Sequence, residues 1–183
     1  MKRSLLLIIL LLIPLETISF AEGPSNNTPC SSIANLDMLN ATINNIKFVD
    51  GEACTSDSAE LPDQCDWEHK ISSDEVFRPI TGKEVRLVII HSNHKTGSGA
   101  WDTVLVFNCL NGSIRKIIEN KYLYGVKINK KTEGEVVLTS GDWQPKDPMC
   151  CPSREKHETY RWNSSKNTYV LQKTTTSKKN LKQ

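Results

Sequence analysis

The chain has no apolar run long enough to cross a bilayer: its longest, Leu5 to Ile13, covers about nine residues where a spanning helix needs about 20. It has no Cys-x-x-Cys pair, no Asp-x-Asp-x-Asp-Gly calcium loop, no full Walker phosphate loop and no Gly-x-Ser-x-Gly elbow. These absences remove the signatures of thioredoxin-like redox chemistry, EF-hand binding, nucleotide cradling and the α/β-hydrolase nucleophile. Neither charge sign dominates, with 23 Lys plus Arg interspersed among 21 Asp plus Glu, so no basic stripe for nucleic acid is present. Internal repeats and long helical periodicity are missing as well.

What is present begins with a leader. Lys2 and Arg3 precede the apolar run, Pro14 and Glu16 close it, and Ser19-Phe20-Ala21 supplies small residues three apart. That layout predicts a secretory signal peptide over 1–21, cleaved near Ala21, and an extracytoplasmic product that is periplasmic or secreted. A lipid anchor is not expected, because the first cysteine, Cys30, falls beyond the cleavage point. No stable membrane insertion is expected either. The remaining chain is the size of one ordinary domain. It divides into a Ser/Asn/Pro-rich flexible lead over 22–35, a β domain over 36–172 and a solvated basic tail over 173–183 carrying Lys173, Lys178, Lys179 and Lys182.

All six cysteines, Cys30, Cys54, Cys65, Cys109, Cys150 and Cys151, follow the leader. An even count in an exported chain argues for a disulfide framework, although six cysteines permit 15 pairings. Asp50 to Asp74 is polar and acidic, and reads as a long loop stapled by Cys54–Cys65. The acidic residues there, Asp57, Glu60, Asp63 and Asp66, read as a solvated face. Cys109 is assigned to Cys150 or Cys151, and the other of that adjacent pair to Cys30, because neighbours in an extended segment point to opposite sides.

The core signal is β. Val85, Leu87 and Ile89 alternate with Arg86, Val88 and Ile90 in a run dense enough for a central strand buried on both faces. Thr103 to Cys109 gives its hairpin partner, and Asn111-Gly112 makes the next tight turn. The Gly97-Ser98-Gly99 loop between the paired strands is expected to use its glycines for positive φ. Ile114, Ile117 and Ile118 are ambiguous, having helical spacing in a strand context. Tyr122 to Ile128 has a period of two, and the strands Val136–Leu138, Thr159–Trp162 and Thr168–Leu171 follow. Lys127, Lys130 and Lys131 would protect a sheet edge. The fold class is therefore mainly all-β: one antiparallel domain, a sandwich or curled meander, stapled by disulfides.

The sharpest motif is Asp147-Pro148-Met149-Cys150-Cys151-Pro152-Ser153, whose prolines fix an irregular extended path. With the Tyr160-Arg161-Trp162 strand after it, and Thr81-Gly82-Lys83-Glu84, Gly97-Ser98-Gly99 and Val104-Leu105-Val106-Phe107 before it, the chain over roughly residues 78–172 resembles small exported bacterial proteins of unknown function, the LppP/LprE-like lipoproteins. The resemblance implies an envelope location and a compact domain, and it implies no activity.

No catalytic residue and no cofactor is assigned. Trp101 and Trp143 lie beside the loops 92–101 and 143–153, and are the candidate binding residues of a non-enzymatic module for an unknown protein or an envelope polymer, an exported inhibitor being one such binder. Trp162 reads as core. The alternative is a small metal-dependent or redox-active envelope enzyme using His91 and His94, with His69 and His157 as supplements, or Cys150 and Cys151. Against it, a His-x-x-His pair supplies two ligands at most, and Pro148 and Pro152 deny the cysteines a helix start. The Asn-x-Ser/Thr triplets at Asn26, Asn40, Asn111 and Asn163 read as chance occurrences.

Overall fold

The computed structural model describes residues 32–80, 83–97, 99–132, 134–148 and 151–179. The expected leader and cleavage point lie outside them.

Nearly everything described is antiparallel β structure. After a single turn of 3-10 helix at Ile33–Asn35 come β1 (Thr42–Ile43), β2 (Ile46–Lys47), β3 (Glu52–Thr55), β4 (Trp67–Ile80), β5 (Lys83–His94), β6 (Ala100–Leu110) and β7 (Ser113–Leu123). Then follow β8 (Lys127–Thr132), β9 (Glu135–Asp142), β10 (Arg154–Asn163) and β11 (Thr168–Lys178). Two meanders result: a five-stranded sheet in the order β3-β4-β5-β6-β7 and a four-stranded sheet in the order β11-β10-β9-β8. The sandwich expectation holds.

Burial explains the order of layers. Alternate residues of β5 and β6, namely Val85, Leu87, Ile89, Val104 and Val106, pack against Val136, Leu138, Tyr160 and Tyr169 of the second sheet. Their neighbours Val88, Ile90, Leu105 and Phe107 face the other way, onto Ile33, Met38, Ile43 and Phe48 of the N-terminal segment. The five-stranded sheet is thus covered on both faces, as the continuous apolar run of β5 required. Each such side chain taken fully from water contributes about 1.5–3 kcal/mol.

One cation of the sheet grips the start of the N-terminal layer. Arg86 sits in the apolar run of β5, where its Nη1 donates to the carbonyl oxygens of Ile33, Ala34 and Leu36 while Nε and Nη2 grip Asp74. Ser32 to Asn35, expected in the flexible lead, instead form and cap the 3-10 turn, with Ile33 buried.

Other expectations change for local reasons. The Asp50–Asp74 stretch is a loop only between β3 and β4, because Glu52–Thr55 pairs with Trp67–Lys70; Asp57, Glu60, Asp63 and Asp66 lie in that loop. The Cys54–Cys65 disulfide closes that loop as expected, with Cα atoms 5.3 Å apart. Cys109 is also disulfide-bonded, whereas Cys30 and Cys150 lie outside the described residues. Ile114, Ile117 and Ile118 are in strand β7, and bulges in its pairing with β6 produce their irregular spacing.

Tyr122 to Ile128 is two elements instead of one strand. Tyr122 and Gly125 both take positive φ, +59° and +58°, and the chain crosses there from one sheet to the other. The tail is strand as far as Lys178, since Lys173–Lys178 pairs with Thr159–Arg154. Its β-branched threonines suit an exposed hairpin arm even with nothing to bury. Asn111 and Gly112 form the expected turn, both at positive φ, and the lysine-bearing strand β8 is indeed an edge.

Candidate functional site

One end of the sandwich collects aromatic rings from distant parts of the chain. Cross-strand register sets Trp67 opposite His94 and Trp101 opposite Ser92, so Trp67, His94 and Trp101 share a face of the first sheet. The Trp67 and Trp101 ring centroids are 4.3 Å apart, Trp67 meets His94 at 4.6 Å, and Tyr122 packs edge-on against Trp101 at 5.4 Å.

Gly99 lets the rings close over it without crowding. A Cβ there would stand 3.2 Å from Trp67 and 3.3 Å from Trp101. Neither Gly97 nor Gly99 is among the glycines at positive φ, so close approach explains Gly99, and the expected turn conformation is corrected. Ser98 lies outside the described residues.

The loop closed by Cys54–Cys65 buttresses the same cluster. Trp67 Nε1 donates to Asp57 Oδ1 at 2.7 Å, and His94 Nε2 lies 3.1 Å from Asp57 Oδ2. Asp66 accepts from the Asp57 backbone N–H and the Ser56 hydroxyl; the Asp57 hydrogen bond leads in holding its carboxyl below the usual range. Two of the carboxylates read as a solvated face thus organise the loop.

The crossing segment joins this cluster to a second one. Its backbone is tied to both sheets: Val126 N–H donates to the buried Asp102 carboxylate at 2.8 Å, and Gly141 N–H donates to the Tyr124 carbonyl at 2.7 Å. Tyr122 therefore serves Trp101, while Tyr124, two residues on, packs edge-on against Trp143 at 5.5 Å. Trp101 and Trp143 are brought to the same end, and Trp67, Tyr122, Tyr124 and His94 join them. Their only sequence signal was being aromatic or imidazole residues beside strand ends. Tyr122 is 74% exposed and Trp143 is 41% exposed.

The proline–cysteine segment is a scaffold beside Trp143. Asp147 Oδ2 accepts from the Gln144 and Ser153 N–H groups, each at 2.8 Å, and the Ser153 hydrogen bond chiefly lowers the Asp147 pKa. Pro152 is buried and packs on Gly141 so closely that no Cβ fits there. Cys151 is exposed; Cys150 lies outside the described residues.

The histidines of the metal alternative do not converge among the described residues. His91 and His94 are three apart in one strand and so face opposite ways; His91 Nδ1 contacts Asp102 Oδ1 at 2.9 Å, while His94 joins the tryptophans. His69 is buried between the Thr55 and Ser92 hydroxyls, and His157 bridges Thr139 and Ser177 on β9 and β11. Among the described residues, no three His, Cys, Asp or Glu side chains converge on a metal position.

A disulfide-bearing antiparallel β domain with an aromatic end is the class that these observations define. Residues 82–165 match the LppP/LprE lipoprotein family, so the chain is similar to that family from β5 through β10. A match to a lipoprotein family is compatible with an envelope protein. The N-terminal layer and the Cys54–Cys65 loop lie outside the matched stretch. No curated protein and no solved structure matches the chain. No helix among the described residues is long and apolar enough to cross a membrane.

Proposed function

We propose that this chain is an exported envelope protein that works by binding, without catalysis, and that the aromatic end is its contact surface for a protein or envelope polymer. The observation that carries the reading is Tyr122. Left-handed backbone costs a non-glycine residue about 1–2 kcal/mol, yet here it holds a tyrosine that is 74% exposed. Strain kept at a surface aromatic, edge-on to Trp101, fits a recognition site better than a packing role.

The test is a photo-reactive amino acid placed at position 122 or 143, with exposed position 171 as control, in protein expressed through the secretory route. Adducts from 122 and 143 exceeding those from 171 support the reading. Equal yields at all three positions overturn it.

A further inference from the structure

The opposite end of the sandwich holds a cavity of about 500 Å³, within the range of small-molecule sites. Its wall comes from four separate stretches: Ser32 and Ile33, then Arg78, Lys83 and Glu84, then Asn108 to Leu110, then Trp162 and Asn167.

Its polar groups are unevenly satisfied. The single carboxylate on the wall, Glu84, is engaged by Arg78 Nη2 at 2.6 Å and by the Ser32 hydroxyl at 2.7 Å. Lys83 Nζ donates to the neutral Asn167 Oδ1 at 2.7 Å, and among the described residues no carboxylate balances its charge. Asn108 is 3% exposed; its Nδ2 donates to the Asn167 carbonyl at 3.2 Å, and among the described residues its Oδ1 is buried without a partner. Trp162 Nε1 is likewise buried and unpartnered. Buried polar atoms are almost always satisfied, so two orphans on residues that line one cavity call for an explanation.

We propose that this cavity is a second binding site, which takes a small carboxylate carrying a nearby N–H group, either a free N-acylated amino acid or the C-terminal residue of a peptide. Lys83 receives the carboxylate, Trp162 and Leu110 cover the apolar body, Trp162 Nε1 donates to a ligand oxygen, and Asn108 Oδ1 accepts the ligand N–H. Both orphan atoms are shielded from bulk water, so the ligand engages them with a rotation of the indole or amide toward the cavity. This site is independent of the aromatic end.

The experiment titrates the folded mature protein with a panel of N-acetyl amino acids, their C-terminal amides and N-acetyl tripeptides, read by tryptophan fluorescence and calorimetry. Saturable binding of acids but not amides is expected, weakened about tenfold or more by Lys83→Gln and unchanged by Tyr122→Ala. Tripeptides binding more tightly than single residues assign the site to peptide ends; the reverse assigns it to free amino-acid derivatives. Absence of saturable binding across the panel, equal binding of the amides, or full affinity in Lys83→Gln overturns the proposal. Asn108→Asp supplies a second check, since it places a like charge beside the incoming carboxylate and must also weaken binding.

Discussion

Arg86 meets Asp74 through two parallel contacts, Nε to Oδ1 at 2.5 Å and Nη2 to Oδ2 at 2.6 Å. Both side chains are largely covered, at 11% and 17% exposure, and the remaining guanidinium nitrogen reaches the N-terminal layer. Removing one partner of such a pair leaves a covered charge uncompensated and costs about 3–5 kcal/mol. Arg86→Leu is therefore expected to lower unfolding stability by that amount in urea titrations and to raise amide exchange across residues 32–48. Arg86→Lys is expected to rescue little, because one ammonium cannot replace a fork. Near-native exchange in Arg86→Leu would mean that apolar packing alone holds the layer.

The Cys54–Cys65 bond closes a short loop, and in the chain-entropy model its loss costs about 3 kcal/mol. The paired change Cys54→Ser with Cys65→Ser should show that loss. It should also alter tryptophan fluorescence, since the freed loop carries Asp57, the acceptor for Trp67 Nε1. A stability loss with unchanged fluorescence would separate the staple from the aromatic end.

What the sequence disclosed follows the range of the interactions. The β5–β6 hairpin, the Asn111-Gly112 turn and the Cys54–Cys65 bond are set by alternation, turn chemistry and spacing within short windows, and all three were legible. The crossing at Tyr122 was not, because a period of two continues through the turn and hides the change of sheet. Lys173–Lys178 read as disordered because composition records burial, and this arm is held by pairing with β10. Trp101 and Trp143 were legible as loop tryptophans, whereas Trp67 and Asp57 become partners only through register and the disulfide-closed loop. The cavity at the far end has both Ser32 and Asn167 on its wall, a grouping that no local pattern announces.

Tyr122 carries backbone strain that a glycine would not feel. Tyr122→Gly is expected to leave thermal stability unchanged or to raise it by about 1 kcal/mol, while abolishing binding at the aromatic end. Clear destabilisation by denaturant titration would instead make the ring's contact with Trp101 structural.

Gly141 lies beneath Pro152 with no room for a Cβ, and Tyr124 Cδ1 would stand 3.1 Å from one. Both neighbours are constrained, one a buried proline and the other bound through its carbonyl to Gly141 itself. Gly141→Ala is expected to cost about 1–3 kcal/mol by overpacking and to displace the segment that bears Trp143. Gly112→Ala differs in cause: nothing stands within 4 Å of a Cβ there, and any loss comes from its positive φ of 75°, which Gly141 does not have. Unchanged thermal unfolding of Gly141→Ala would deny the close packing of Pro152 its role.

His69 supplies the pH dependence. Its ring lies between Ser92 Oγ and Thr55 Oγ1, each 2.9 Å away, and burial lowers its pKa from the usual 6.5. The unfolded chain takes up a proton at this group before the native chain does, so its contribution is present above pH 6.5 and is lost as pH falls from there toward the native value. Unfolding free energy should decline between pH 7 and pH 5, a window above that of Asp66, Glu84 and Asp147, whose lowered pKa values act at more acid pH. His69→Gln retains hydrogen-bonding capacity without the titration, and is expected to flatten the slope in urea titrations at each pH. An unchanged slope in that variant would place the pH sensitivity in another group.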